Sequence, residues 1–360
     1  MENKGKNWLY SRLLLAVIMF GITVIGCGNE DENVNSIDFS ISNAVIISQE
    51  GIDLAGYFPD GKISIVKDNT TNKYISFWGE WVSYRTVANT PYTEDHISQI
   101  KYTNRVYGKD FDAQEGFNDG GSWFIGVHRL TDERLAGFFH AESHWSAGDG
   151  AYKSIGVTYS SDNGLTWDNG VKILNANYLR ATTAEWGGLG DGCVVYNEER
   201  EQFIAYYSGD TGNKNFLICM AASSDPAGAS GTWKKWDGNN FSLTGYDSVT
   251  GVGAKCIPIK GLQDIGGANP SVMWNSYLKK WIMVYHQWDP RVIYMSVSSE
   301  GLNWSTPKAI TNANEERAWY PNLISEFGDT IGGQTIKLYY ARFHDNLSTR
   351  DMVMRTITFN

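Results

Sequence analysis

Short apolar runs recur along this chain in pairs. Each pair opens on a small polar residue, and an aromatic-rich partner closes it about 20 residues later. Residues 59–66 go with 74–80, 118–125 with 136–142, 190–196 with 203–210, 268–274 with 281–287, and 320–325 with 336–342. Within the runs apolar side chains alternate or cluster as strands require, and no window outside the N-terminus keeps a helical period. Spacings of roughly 50–80 residues leave room for further strands between pairs, the pattern of propeller blades. The expectation is an all-β fold, a five-bladed β-propeller. The last run, 352–359, alternates as a strand and is expected to pair with a strand near 41–48, closing the ring and leaving no open edge.

The pairing predicts where polar groups go. In an antiparallel hairpin the start of the first strand and the end of the second lie at one end. Asp60 with Glu80, Asp119 with Glu142, Asp191 with Asp210, and Asn269 with His286 are therefore expected at one face, with His140 and Arg342 beside them. Trp78, Trp81, Trp145, Trp186 and Trp288 flank these positions and could stack on sugar faces. Packing between blades is the other use of such aromatics.

The N-terminus follows different rules. Lys4, Lys6 and Arg12 precede an apolar run from Leu13 to Ile25, too short for a membrane span and typical of a secretory signal. It ends at Val24-Ile25-Gly26-Cys27, which resembles a bacterial lipobox with Cys27 as the lipid-bearing residue. The acidic, Asn-rich run after it reads as a solvated tether and resembles the export signal of surface-exposed lipoproteins in Bacteroidetes. The expected organisation is a lipoprotein signal peptide over 1–26, a tether over 27–40 and one propeller domain over 41–360. The expected location is the bacterial outer membrane, surface-exposed, or else the periplasm, with a lipid anchor as the only membrane contact.

A net charge of −10 argues against nucleic acid, which needs clustered cations. Cys193, Cys219 and Cys256 remain after Cys27. The first two fall in strands as buried thiols, and an odd count rules out a complete disulfide framework. No metal-ligand spacing occurs, so no metal and no cofactor is expected; a structural calcium ion in the central channel stays open. Residues 160–167, Ser-Ser-Asp-Asn-Gly-Leu-Thr-Trp, match the Asp-box of sialidases, a structural hairpin turn organised by Asp162. Residues 297–304 form a degraded copy, and 231–233 resemble the remnant of a third.

The repeated phrases resemble the five-bladed propellers of glycoside hydrolase family 43 and its relatives in families 32, 68 and 117, over about residues 50–345. That resemblance implies Asp60 as the base, Asp191 as the modulator and Glu142 as the acid. Glu185 competes with Glu142, and Asp60-Gly61 replaces the family's Asp-Pro. Two carboxylates split in pKa are what glycoside hydrolysis needs. Asp119, His140, Asn269, His286, Arg342 and Trp78 are the expected substrate-binding residues, though Asp119 could equally bond a turn and Arg342 a neighbouring Asp. His128 and His144 receive no role. The leading reading is a glycosidase acting on an oligo- or polysaccharide of plant, algal or host origin. A non-catalytic glycan-binding lipoprotein, or a polysaccharide lyase using His and Tyr with Arg342 on a uronate, are the alternatives.

Overall fold

The computed structural model describes residues 37–49, 60–79, 81–263, 265–312, 316–344 and 349–360. Cys27, Glu80, the expected signal and residues 27–36 of the expected tether lie outside them; residues 37–40 of that tether are described, and Phe39 already opens a strand. The described chain is almost entirely antiparallel β, with one short helix at Thr93–Ile97 and one 3-10 turn at Tyr102–Asn104.

Each expected pair is a hairpin. Ile63–Lys67 pairs with Tyr74–Trp78, Gly121–Arg129 with Leu135–Ser143, and Gly187–Asn197 with Gln202–Asp210. Ala268–Asn275 pairs with Lys280–His286, and Ala318–Ile324 with Thr335–Phe343. A third strand continues each group outward: Val82–Ala88, Tyr152–Ser160, Phe216–Ser223, Ile293–Ser298 and Arg350–Phe359. A parallel pairing of Gly187 and Gly188 with Tyr152 and Lys153 joins groups two and three into one sheet, so hydrogen bonding gives four sheets. In the fifth group Phe39–Ile41 and Val45–Ser48 pair with Arg350–Phe359, so the first and last described strands share one sheet as the sequence pattern predicts.

Alternation leaves both faces of these sheets apolar, and each face is covered by the next group. Phe77 and Tyr107 of group one pack on Phe124 and Phe139 of group two. Phe138 and Val157 meet Phe203 and Ala221 of group three, and Tyr206 and Met220 meet Met283 and Tyr285 of group four. Val284 and Met295 meet Leu338 and Val353 of group five, whose Ile324 and Tyr339 return to Ile63 and Trp78 of group one. Polar side chains also stitch neighbouring groups together. Ser83 Oγ accepts from Phe124 N–H at 3.1 Å, Ser271 Oγ from Leu323 N–H at 3.1 Å, and Asn322 Oδ1 from Ile63 N–H at 2.7 Å.

The Ser160–Trp167 turn shows how a group is finished at its outer end. Asp162 Oδ1 accepts from Leu165 N–H at 3.0 Å and Thr166 N–H at 2.9 Å, and its Oδ2 takes the Thr166 hydroxyl at 2.6 Å. Trp167 then packs its ring on Phe124, with centroids 4.6 Å apart, and edge-on to Phe77. Asp162→Ala removes these acceptors and is expected to destabilise the fold by about 1–2 kcal/mol, read as a lowered midpoint of urea unfolding. Unchanged stability would contradict an organising role for this carboxylate.

Candidate active site

Where the inner strands begin, a cavity of about 650 Å³ opens, lined by Asp60, Lys62, His140, Glu142, His144, Lys153, Asp191 and Asn269 among others. Three irregular strand residues line it. Asp191, Asn269 and Tyr320 hold the left-handed backbone region, at φ 50°, 49° and 53°. Each lies where the pairing slips by a bulge, which re-aims the side chain of the bulged residue.

Imidazoles clamp two of these bulges. Asp191 N–H donates to His140 Nδ1 at 2.9 Å, and Tyr320 N–H donates to His286 Nδ1 at 3.1 Å. Each histidine thus ties its own group to the next. The Gly190-Asp191-Gly192 phrase follows from this closeness. A Cβ at Gly190 would lie 2.0 Å from His140 Nδ1, and one at Gly192 would lie 2.2 Å from the Tyr206 carbonyl oxygen.

Because its Nδ1 accepts a proton bond, His140 carries hydrogen on Nε2 and donates it to Glu142 Oε1 at 3.1 Å. His144 Nε2 meets the other oxygen at 2.7 Å. Burial alone would raise the Glu142 carboxyl. The bonds from both imidazoles and the Lys153 charge overcome it and hold Glu142 well below the usual carboxylate range. Asp191 is also desolvated, yet Lys153, in direct contact with it, and then His140 keep it below its ordinary value. Asp60 behaves oppositely. Arg350 Nη1 donates to its Oδ1 at 2.7 Å and Trp123 Nε1 to its Oδ2 at 3.2 Å, but burial prevails and its carboxyl is raised. Glu142 adds to that rise and also acts on Asp191, so the three acids share one field.

The expected convergence of Asp60, Glu142 and Asp191 on one cavity is therefore present, and His140 and Asn269 join them. Other expectations need correction. Trp78 is fully buried in the contact between groups one and five and donates to Thr86 Oγ1 at 3.0 Å. Arg342 lies directly opposite Asp351 in the sheet and pairs with it at 2.5 Å, outside the cavity. His286 is completely buried beside Trp319 and Trp288, and desolvation takes it down to about 3, so it is a neutral packing residue. Asp119 accepts Gly116 N–H at 3.3 Å and stands outside the lining, as a turn residue. Glu185 pairs with Lys214 at 2.8 Å, also outside it. Of the five flagged tryptophans, Trp81, Trp145, Trp186 and Trp288 line the cavity.

Several contributors were not singled out from the sequence: His144, Lys153, Arg350 and Trp319 fall outside the repeated runs, and Trp123 and Tyr320 lie within them. Lys153 sits in the third strand of group two and Arg350 opens the last strand, positions the repeated phrase does not cover. The one signal for Lys153 was a lone cation inside an otherwise uncharged strand. The buried Lys62 ammonium pairs with Asp329 at 2.8 Å and approaches Ser271 Oγ at 3.5 Å. Among the described residues no group of three His, Cys, Asp or Glu is arranged to hold a metal ion. The cysteines Cys193, Cys219 and Cys256 are all buried free thiols.

No family model and no curated protein matches the sequence. Solved structures share its fold. An N-acetylgalactosamine deacetylase from F. plautii, solved with blood group B trisaccharide, aligns with a TM-score of 0.53 over 88% of this chain and 96% of its own, at 12% identity. An alpha-L-arabinofuranosidase from Lactobacillus brevis gives 0.52 over 86% and 94%, at 14% identity. A family 117 glycoside hydrolase of the marine bacterium Zobellia galactanivorans gives 0.51 over 90% of each chain, at 11% identity. The chain has the fold of glycoside hydrolase-like propellers. That fold alone does not fix a reaction, since a deacetylase shares it.

The electrostatics predict a pH signature. Glu142 titrates near 4.5 when unfolded and lower when folded, so its contribution is full above 4.5 and is lost as pH falls through the folded value. Glu142→Gln is expected to cost about 2 kcal/mol at neutral pH, and the gap from wild type should close in acid. Denaturant unfolding across pH measures it; a gap independent of pH would refute the ionised, hydrogen-bonded carboxylate.

Proposed function

We propose that this protein is a glycoside hydrolase built on a five-bladed β-propeller, with its five antiparallel groups as the blades. The observation that carries the reading is the convergence of Asp60, Glu142 and Asp191, with opposite displacements of their proton affinities, in one aromatic-lined cavity. Hydrolysis of a glycosidic bond requires one group that activates water and one that protonates the leaving oxygen. Asp60 suits the first role, because a carboxylate raised by burial is the stronger base, and Arg350 and Trp123 fix its direction. Asp191, neutralised by Lys153, tunes and orients from the neighbouring blade.

The acid role that family resemblance assigns to Glu142 does not suit its surroundings, because an ionised carboxylate has no proton to give. Glu142 instead backs His144, whose side chain is 41% exposed and lines the cavity. An imidazole oriented by a carboxylate is a common proton donor in catalysis. His144 is thus assigned as the donor and Glu142 as the residue that positions it.

The acids and cations here pair among themselves: Asp60 with Arg350, Asp191 with Lys153, Lys62 with Asp329. With Arg342 committed to Asp351, the lyase reading loses the cation it required for a uronate. The tryptophans that line the cavity suit flat sugar faces. They also favour the second reading, a glycan-binding protein without catalysis. The named activities of the arabinofuranosidase and the family 117 enzyme support the hydrolase.

Asp60→Asn and His144→Ala are expected to lower sugar release from the true polysaccharide by at least ~100-fold, with binding retained. Glu142→Gln should lower the maximal rate more than it raises KM. Reducing-sugar assays on a polysaccharide panel measure both, and wild-type rates in Asp60→Asn would defeat the assignment. Binding without sugar release by the wild type would establish the second reading.

The basic segment, apolar run and Cys27 support placement at the cell envelope as an outer-membrane lipoprotein, surface-exposed through its acidic tether. Cys27→Ser is expected to move the protein from the membrane fraction to the soluble one and to abolish labelling by a lipid precursor. Persistent labelling would overturn the anchor.

A further inference from the structure

Away from the cavity, the contact between groups two and three buries a lysine. Lys235 is 1% exposed, and its Nζ donates to the carbonyl oxygens of Asn175 and Ala254, each at 2.6 Å. No described carboxylate pairs with it. The remaining neighbour within reach is Cys256 Sγ at 3.7 Å. Burial pulls the Lys235 ammonium down, and the groups that oppose this are Cys256 and then Cys219.

Strand register explains the meeting. Lys235 is paired with Ala221 on one side of the Phe216–Ser223 strand. On the same edge, one pair along, Cys219 bridges Pro258. Across the other edge Cys219 lies opposite Tyr207, and the Cys256 sulfur sits 2.8 Å from the place a Cβ would take at Gly209, two residues on from Tyr207, so both thiols occupy one face of the sheet and one core cluster. The Cys219 thiol, and then the Lys235 charge, bring the Cys256 thiol down to about 6 in spite of burial. Cys193 serves as an internal contrast. It is just as buried and feels the Lys62 charge, yet desolvation pushes it up to about 12. No second thiol acts on Cys193, whereas the Cys219 thiol is the largest influence on Cys256.

We propose that Cys256, Cys219 and Lys235 form a buried redox site, in which a small peroxide oxidises Cys256 and Cys219 closes a disulfide onto it. The Cys256 thiolate attacks one peroxide oxygen, the O–O bond breaks, and hydroxide leaves with the electron pair. Cys256 becomes a sulfenic acid, oxidised by two electrons as the peroxide is reduced. The Cys219 sulfur then displaces hydroxide from Cys256, and its thiol proton departs with that hydroxide as water. Lys235 stabilises the attacking thiolate in the first step and loses its counter-ion after the second. Oxidation should therefore loosen the segment that carries Cys256, which runs against the strand beneath the cavity.

The test is peptide mapping of the folded protein after hydrogen peroxide treatment and alkylation. The expected result is a Cys219–Cys256 linked peptide, lighter by two hydrogens, with Cys193 recovered as an alkylated thiol. Cys219→Ser should stop the reaction at a sulfenic acid on Cys256 that a cyclic dione traps. Lys235→Met, if folded by circular dichroism, should slow Cys256 oxidation by at least ~10-fold. Three intact thiols in the folded wild type, or oxidation of Cys193 as fast as Cys256, would overturn the site.

Discussion

Three carboxylates within one partly buried cavity repel one another and lose hydration, and the architecture around them answers that constraint. Each acid has its own partners, distant in sequence for Asp60 and Asp191 and adjacent for Glu142. Arg350 comes from the last strand to Asp60 in the first group, Lys153 crosses to Asp191, and two imidazoles share Glu142. The partners are not equivalent, so the acids do not end in the same state. That inequality is the source of the chemistry assigned here: one group is poised to take a proton while another keeps its charge and orients an imidazole.

The scaffold that permits this is a set of repeated hairpins whose apolar faces close on one another in cyclic order. The repetition extends to fine detail. Histidines at matched places in groups two and four both accept the backbone N–H of the next bulged residue. Only His140 has a second nitrogen committed to a cavity acid; His286 stays sealed beneath tryptophan. One structural device thus occurs in two copies, and one copy has been turned toward the site. Dry packing and backbone satisfaction come first, and function modifies a position the fold already required.

Much of this was legible from the alternation of residues. Strand pairs follow from a two-residue period, and the antiparallel rule then places hairpin starts and ends together, which is how Asp60, Glu142 and Asp191 could be named. Register was not legible. Arg342 was committed by facing Asp351 in the very next strand, and alternation alone does not say which residue of a neighbouring strand lies opposite. Trp78 illustrates a second limit. An aromatic at the end of a strand can point to the rim or to the neighbouring group, and here the neighbour needed it. Lys153, His144 and Arg350 belong to strands and loops outside the repeated phrase, so pattern matching passed over them.

The sheet shared by the earliest and latest described strands sets the order of events during biogenesis. Phe39 and Ile41 find their partners in Phe359 and Ile357, more than three hundred residues away in sequence. Until the ribosome has released Arg350–Phe359, the earliest strands stay exposed along one edge, and the ring of contacts lacks its last member. Such long-range closure is slow and leaves the nascent chain dependent on protection against aggregation. A protein of this topology completes its folding only after that strand has been made, and never from the amino-terminal strands alone.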